Sequence, residues 1–115
     1  MKLIVAIIQP SKLDAVKEAL AEEEVFRMTV VDAQGFGRQK GSATMFRGDE
    51  IGANLTRKIE IQIAVNDDFL EKTVAAIIKG GRTGKRGKIG DGKIFVLPIE
   101  QCHRIRTGET GREAI

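Results

Sequence analysis

A chain of 115 residues carrying 19 Lys and Arg against 16 Asp and Glu, with a formal net charge of +3, builds one domain around a single core, so no boundary is expected within residues 1–115. No apolar run reaches bilayer length, and Pro10, Ser11 and Lys12 interrupt Met1–Gln9 before a signal-peptide core could form, so the expected location is the cytoplasm. The single Cys102 can make neither an intramolecular disulfide nor a cysteine metal cluster, which fits a reducing compartment and leaves no basis for a redox role.

Lys2–Gln9 is almost continuously apolar and reads as a strand buried on both faces. Pro10 ends it. Ser11-Lys12-Leu13-Asp14 matches a capping box, and Leu13, Val16 and Leu20 then share one helical face, giving a helix to about Glu23. Met28–Phe36 predicts a second strand. In Arg57–Val65, Ile59, Ile61, Ile63 and Val65 alternate with Lys58, Glu60, Gln62 and Ala64, as in a strand with one covered face. A second capping-box pattern, Asp68-Phe69-Leu70-Glu71, opens a helix whose stripe of Leu70, Val74, Ile77 and Ile78 stops at Gly80-Gly81. Lys93–Ile99 predicts the last strand, and the tail after Glu100 reads as polar and extended.

The order β-α-β-β-α-β predicts an α+β, ferredoxin-like fold, a four-stranded antiparallel sheet with two helices on one face. The other face is left over, which predicts a homo-oligomer.

Two glycine-rich cationic stretches punctuate this frame. Gly35-Phe36-Gly37-Arg38-Gln39-Lys40-Gly41 opens a long polar segment between strands two and three, a length that is usually functional or disordered. Gly80–Gly92 carries Arg82, Lys85, Arg86 and Lys88 and leads into strand four. Close glycines let backbone N–H groups approach an anion, and the cations favour phosphate or carboxylate. Gly87–Ile94 nearly matches a P-loop. However, Ile94 stands where a hydroxyl should hold magnesium, and a strand rather than a helix follows, so it is not a Walker A motif. Arg104 and Arg106 would share one side of an extended segment, suited to phosphate oxygens. Cys102 reads as packing and His103 as surface. No carboxylate pair or metal-spaced cluster offers catalytic chemistry, so an enzyme is not expected. The uneven charge favours a local anion site over a nucleic-acid surface.

Taken together, Gly35–Gly41, Phe46-Arg47-Gly48, Arg82-Thr83-Gly84, Lys88–Phe95 and Arg104–Glu109, with the opening Ala6-Ile7-Ile8 and Pro10, closely resemble the PII nitrogen-regulatory signal proteins over essentially the whole chain. The resemblance implies a non-enzymatic homotrimer that binds ATP or ADP in clefts between subunits. Magnesium and 2-oxoglutarate would join ATP at the base of a T-loop spanning about 37–55, with a B-loop at about 82–92 and a C-terminal segment at about 100–115. By position, Gly35, Gly37, Arg38, Gly90, Gly92, Lys93, Arg104 and Arg106 would hold phosphates from one subunit, with Phe36 and Asp91 in the same nucleotide set. Ile7, Met28, Thr29 and Ala64 would line the adenine from its neighbour. Gln39 would ligate magnesium, a role for which a neutral amide oxygen is suited. Gln39, Lys40, Gly41 and Lys58 would meet 2-oxoglutarate.

Partners implied by the resemblance are ammonium transporters, with Arg47 as the inserted residue, and metabolic or regulatory enzymes. No nucleic acid is expected, and membranes would be met only through a transporter. Ile51 stands where modified relatives carry tyrosine, and Asp49 where others carry a phosphorylated serine, so both modifications are expected to be absent. The loop through Lys85–Lys88 is about three residues longer than usual, Arg27 replaces a common glycine, and Gln62 a common glutamate. An adenylate-energy sensor without a 2-oxoglutarate response is the alternative. A ferredoxin-like RNA-binding module is more remote, since it needs aromatic residues on the central strands.

Overall fold

The computed structural model describes residues 1–36 and 55–115. The sheet contains β1 (Lys2–Ile8), β2 (Thr29–Phe36), β3 (Leu55–Val65) and β4 (Gly92–Pro98) in the order β2-β3-β1-β4. Every neighbouring pair is antiparallel. Helices α1 (Leu13–Glu22) and α2 (Leu70–Gly81) make the two split crossovers of a ferredoxin-like domain.

Alternation decides which face is buried. Ile4, Ala6 and Ile8 of β1 and Ile59, Ile61, Ile63 and Val65 of β3 point to the helices and are buried, together with Val16, Ala19 and Leu20 of α1 and Ala76 and Ile77 of α2. The opposite face holds Leu3, Val5 and Ile7, which are only half-buried, so β1 is not covered on both sides as its continuous apolar run implied. On that same face Phe95 and Leu97 of β4 are 49% and 44% exposed.

Both helices begin differently from the capping boxes read in the sequence. Each is entered through a 3-10 turn, Pro10–Lys12 or Asp67–Phe69, and neither has a side-chain cap. Backbone carbonyls do that work instead. Lys12 N–H donates to Gln9 O at 3.0 Å, and Phe69 N–H to Asn66 O at 2.9 Å. Ser11 and Asp68 therefore sit inside the turns, and Asp68 pairs with Arg112 at 3.1 Å. Pro10, which lacks an N–H, suits the first turn. At its other end α1 closes in a Schellman arrangement. Val25 N–H donates to Leu20 O and Glu24 N–H to Ala21 O, with Glu24 at φ 62°.

The tail also departs from an extended reading. Gly111 N–H donates to Cys102 O, His103 bridges Thr110, and residues 105–107 turn, so the segment is a short hairpin that ends in a 3-10 turn, Gly111–Ala114. Arg112 fastens it to Asp68, and Asn66 donates to Arg112 O.

The helices cross where Gly80 meets α1. A Cβ on Gly80 would come within 2.6 Å of Val16 Cα and 2.8 Å of Ala15 O, both backbone atoms. On Gly81 it would meet only side-chain methyls at 3.8 Å. Gly80→Ala should therefore cost roughly 1–3 kcal/mol through overpacking. Gly81→Ala should be neutral or slightly stabilising, since alanine is the better helix former. Thermal unfolding of the two variants checks this, and equal melting temperatures would contradict the packing account.

Candidate functional site

Antiparallel pairing brings the ends of β1 and β2 and the starts of β3 and β4 to one end of the sheet. There the loop between α2 and β4 folds back onto the strands. The Gly90 carbonyl accepts two hydrogen bonds, from Lys58 Nζ of β3 and from Gln9 Nε2 just past β1, each 2.8 Å long. Both lone pairs are thus used. Two residues on, Gly92 has φ 110°, and a Cβ there would collide with the Ile7 carbonyl, so only glycine lets β4 enter at this depth. Across β2, a Cβ on Gly35 would stand 3.4 Å from Lys58 Cγ, an ordinary contact that places Gly35 beside the Lys58 stem.

The loop itself is held by Asp91. Its Oδ1 accepts from the Thr83 hydroxyl at 2.6 Å, and its Oδ2 from the backbone N–H groups of Thr83 and Lys88, each at 2.9 Å. Gly84, Gly87 and Gly90 supply the positive φ angles that the tight path needs. Donation by the Thr83 hydroxyl, then by the two N–H groups, lowers the carboxyl from its ordinary 3.8 to about 2. The Asp91 charge is turned inward, so what the loop offers outward is cationic. Lys79 pairs with Glu22 at 3.3 Å, whereas Arg82, Lys85, Arg86, Lys88 and Lys93 have no carboxylate partner among the described residues.

The sequence-derived site residues fall into separate groups. Gly35, Phe36, Lys58, Gly90, Asp91, Gly92, Lys93 and Ile7 gather at this end of the sheet. Met28, Thr29 and Ala64 lie at the other end, where Thr29 faces Gln62 and Ala64 faces Leu3. Arg104 and Arg106 belong to the tail hairpin, whose base is beside Asn66 at the far end of β4 from Lys93. They do not share one side of an extended segment. Arg106 lies in the turn, and Arg104 pairs with Glu109 at 3.0 Å. Gly37, Arg38, Gln39, Lys40, Gly41 and Arg47, like Asp49 and Ile51, lie outside the described residues.

Reading the sequence missed Gln9, whose partner is 81 residues away, and missed that Thr83 and Asp91 close the loop. An Asp following a Gly-Thr-Gly-rich basic run was the only local sign. Cys102 is half-buried and His103 exposed, as expected. Among the described residues no group of three or more His, Cys, Asp and Glu could hold a metal ion, and no helix is long and apolar enough to cross a membrane.

A ferredoxin-like domain whose glycine-rich cationic loop is bonded to the end of its own sheet defines the class. Within that class the chain belongs to the nitrogen regulatory protein P-II family, whose model matches residues 1–109. It is 55% identical over 115 residues to nitrogen regulatory protein GlnK1 of Methanosarcina mazei, covering 100% of this chain and 97% of that one. It is 51% identical over 115 residues to nitrogen regulatory protein P-II of Bradyrhizobium diazoefficiens, with all of both chains covered. The crystal structure of Arabidopsis thaliana PII bound to citrate superposes with a TM-score of 0.78 at 34% identity, over 98% of this chain and 87% of that one.

The Asp91 clasp has a pH signature. A carboxyl held below its unfolded value adds stability that is present above about 3.8 and is lost as pH falls through about 2. Asp91→Asn, which places an amide donor against donors, should be less stable than the parent at neutral pH. The gap should close as pH falls from 4 toward 2. Urea unfolding at several pH values checks this, and a gap independent of pH would contradict it.

Proposed function

We propose that this chain is a non-enzymatic signal protein that binds ATP or ADP, and Mg-ATP with 2-oxoglutarate, at the interfaces of a cytoplasmic homotrimer. In this reading it controls partners through the segment around residues 37–55. The observation that carries the proposal is the Lys58 to Gly90 bond. It joins the glycine-cation loop to β3 three residues from Leu55, which pairs with Phe36 at the mouth of that segment. A ligand seated on the loop is thereby in contact with the base of the segment that would meet partners.

The chemistry of the described residues fits a nucleotide. Gly35 and Gly92 keep side chains away from the end of the sheet, and Lys93 stands exposed at the start of β4. When bound, magnesium would supply positive charge that neutralises phosphate and carboxylate oxygens, and Gln39 would be the residue that holds it. Lys58 would pair with a 2-oxoglutarate carboxylate by sharing or giving up Gly90 O. Gln9 would keep that carbonyl satisfied.

The trimer is supported by distance. From Lys58 to Ala64 is six strand residues, about 20 Å. One chain therefore does not close Lys58 and Lys93 on one side and Met28, Thr29 and Ala64 on the other around a single adenylate, and a neighbouring copy would complete the cleft. Against an RNA-binding reading, Leu3, Val5, Ile7, Glu60 and Gln62 occupy the uncovered face of the central strands, without an aromatic ring.

Calorimetric titration of 2-oxoglutarate is the test. Binding is expected with Mg-ATP and not with ADP, and Lys58→Ala should weaken it about tenfold or more while ADP still binds. Absence of binding with either nucleotide, with ATP and ADP still competing, would leave an adenylate-energy sensor instead. For the partner, Arg47→Ala should abolish co-purification with an ammonium transporter. An unchanged pull-down would count against transporter docking.

A further inference from the structure

We propose that Arg27 and Glu24 widen the base selectivity of the nucleotide cleft, so that it takes guanine as well as adenine nucleotides. The inference rests on the nucleotide reading above and concerns the end of the sheet at which Met28, Thr29 and Ala64 stand. There β3 outruns its neighbour. β2 begins at Thr29, opposite Gln62, so Ile63, Ala64 and Val65 have β1 on one side and no strand on the other. The chain from Glu24 to Arg27 borders this open edge and leaves a cavity of about 390 Å³, within the range of small-molecule sites. Val25, Ile63, Val65 and Phe69 supply apolar walls, and Phe26, 70% exposed, has a ring free to stack on a base.

The polar side chains decide which base. They are Glu24, Arg27 and Asn66, and the Asn66 amide already donates to Arg112 O. Glu24 and Arg27 form no ion pair with each other or with another charge among the described residues. A guanidinium only donates and a carboxylate only accepts. Guanine presents two adjacent acceptors, O6 and N7, and next to them two adjacent donors, N1–H and the N2 amino group, so each ionic group meets two atoms of matching sense. In adenine the N6 amino donor lies between the acceptors N7 and N1, so a side chain of one sense meets only one of each neighbouring pair.

Folding does not account for these two side chains. Glu24 is the one non-glycine residue with positive φ among the described residues, at 62°, a conformation in which glycine is relaxed and other residues are strained. Arg27 is exposed, and it stands where a glycine is common in the family.

The test is calorimetric titration of ADP and of GDP into the full chain, with thermal unfolding of each variant. Both nucleotides should bind, GDP within about tenfold of ADP. Arg27→Gly should lower the ratio of GDP to ADP affinity about tenfold, as expected for loss of a paired contact to O6 and N7. Arg27→Lys, which keeps the charge without the planar fork, should not restore the ratio. Glu24→Gly should lower the ratio while raising the melting temperature, because it relieves the left-handed backbone, a combination that a purely structural role does not produce. If ADP binds and GDP does not, the inference is overturned and the adenylate reading stands. If neither binds, both fall. The inference is also overturned if Arg27→Gly weakens ADP and GDP by the same factor, or if Glu24→Gly leaves their ratio unchanged.

Discussion

The carbonyl of Gly90 is the point on which this end of the molecule depends. Two donors from different strands converge on it, one of them an ammonium, and a charge-assisted bond is the stronger kind. With that oxygen fixed, the chain can drop through Gly92 against the backbone of Ile7 and start β4 in register. The Asp91 clasp lies between these two glycines and inherits their placement. So does the display of Arg82, Arg86, Lys88 and Lys93. Had the loop been free, the same cations would be a mobile charged surface. Bonded to Gln9 and β3, the loop holds them at defined positions at this end of the sheet.

Most of the frame was legible in the sequence, because it rests on short-period patterns. Ile59, Ile61, Ile63 and Val65 alternate, and the face they define is the buried one. The stripe of α1 faces the core as read, as do Leu70, Val74 and Ile77 of α2, whereas Ile78, read into the same stripe, is exposed. What escaped was set by backbone geometry or by distant partners. Ser11 and Asp68 match a capping pattern, yet a 3-10 turn had already supplied acceptors for the first N–H groups. The tail has no apolar period at all, and its hairpin is closed by backbone bonds of Arg104, Gly108 and Gly111, with Arg112 tying it to Asn66 and Asp68. Arg104 and Arg106 lost their shared side for that reason. Of the candidate site, the glycines and cations were visible locally. The bonds that give them a common location span 32 and 81 residues and leave no local trace.

Two features of the single chain remain open in the same direction. One face of the sheet carries Leu3, Val5, Phe95 and Leu97 with no helix over it, and Val31 of β2 is 40% exposed beside them. Met28, Thr29 and Ala64, assigned to the adenine, stand at the opposite end of that sheet from Gly92 and Lys93, while Ile7 lies at the Lys93 end and Arg104 and Arg106 at the other. A monomer that hid its apolar face by other means would still leave the nucleotide residues split. A symmetric assembly would meet both demands with one interface, so the proposed trimer and the proposed nucleotide site support each other.

Coupling between ligand and partner then needs no long pathway. The pair Phe36–Leu55 closes the described part of the β2–β3 ribbon, and Lys58 is less than one strand length further in. An effector that recruited the Lys58 ammonium would compete with Gly90 O for it, so the loop proposed to hold the nucleotide would feel the effector directly. By linkage the converse also holds: whatever tightens the loop onto Gly90 changes the availability of Lys58 by the same free energy. Gln9 sets the size of that exchange. Because its bond to the carbonyl does not involve Lys58, the loop would not need to detach were Lys58 to turn away.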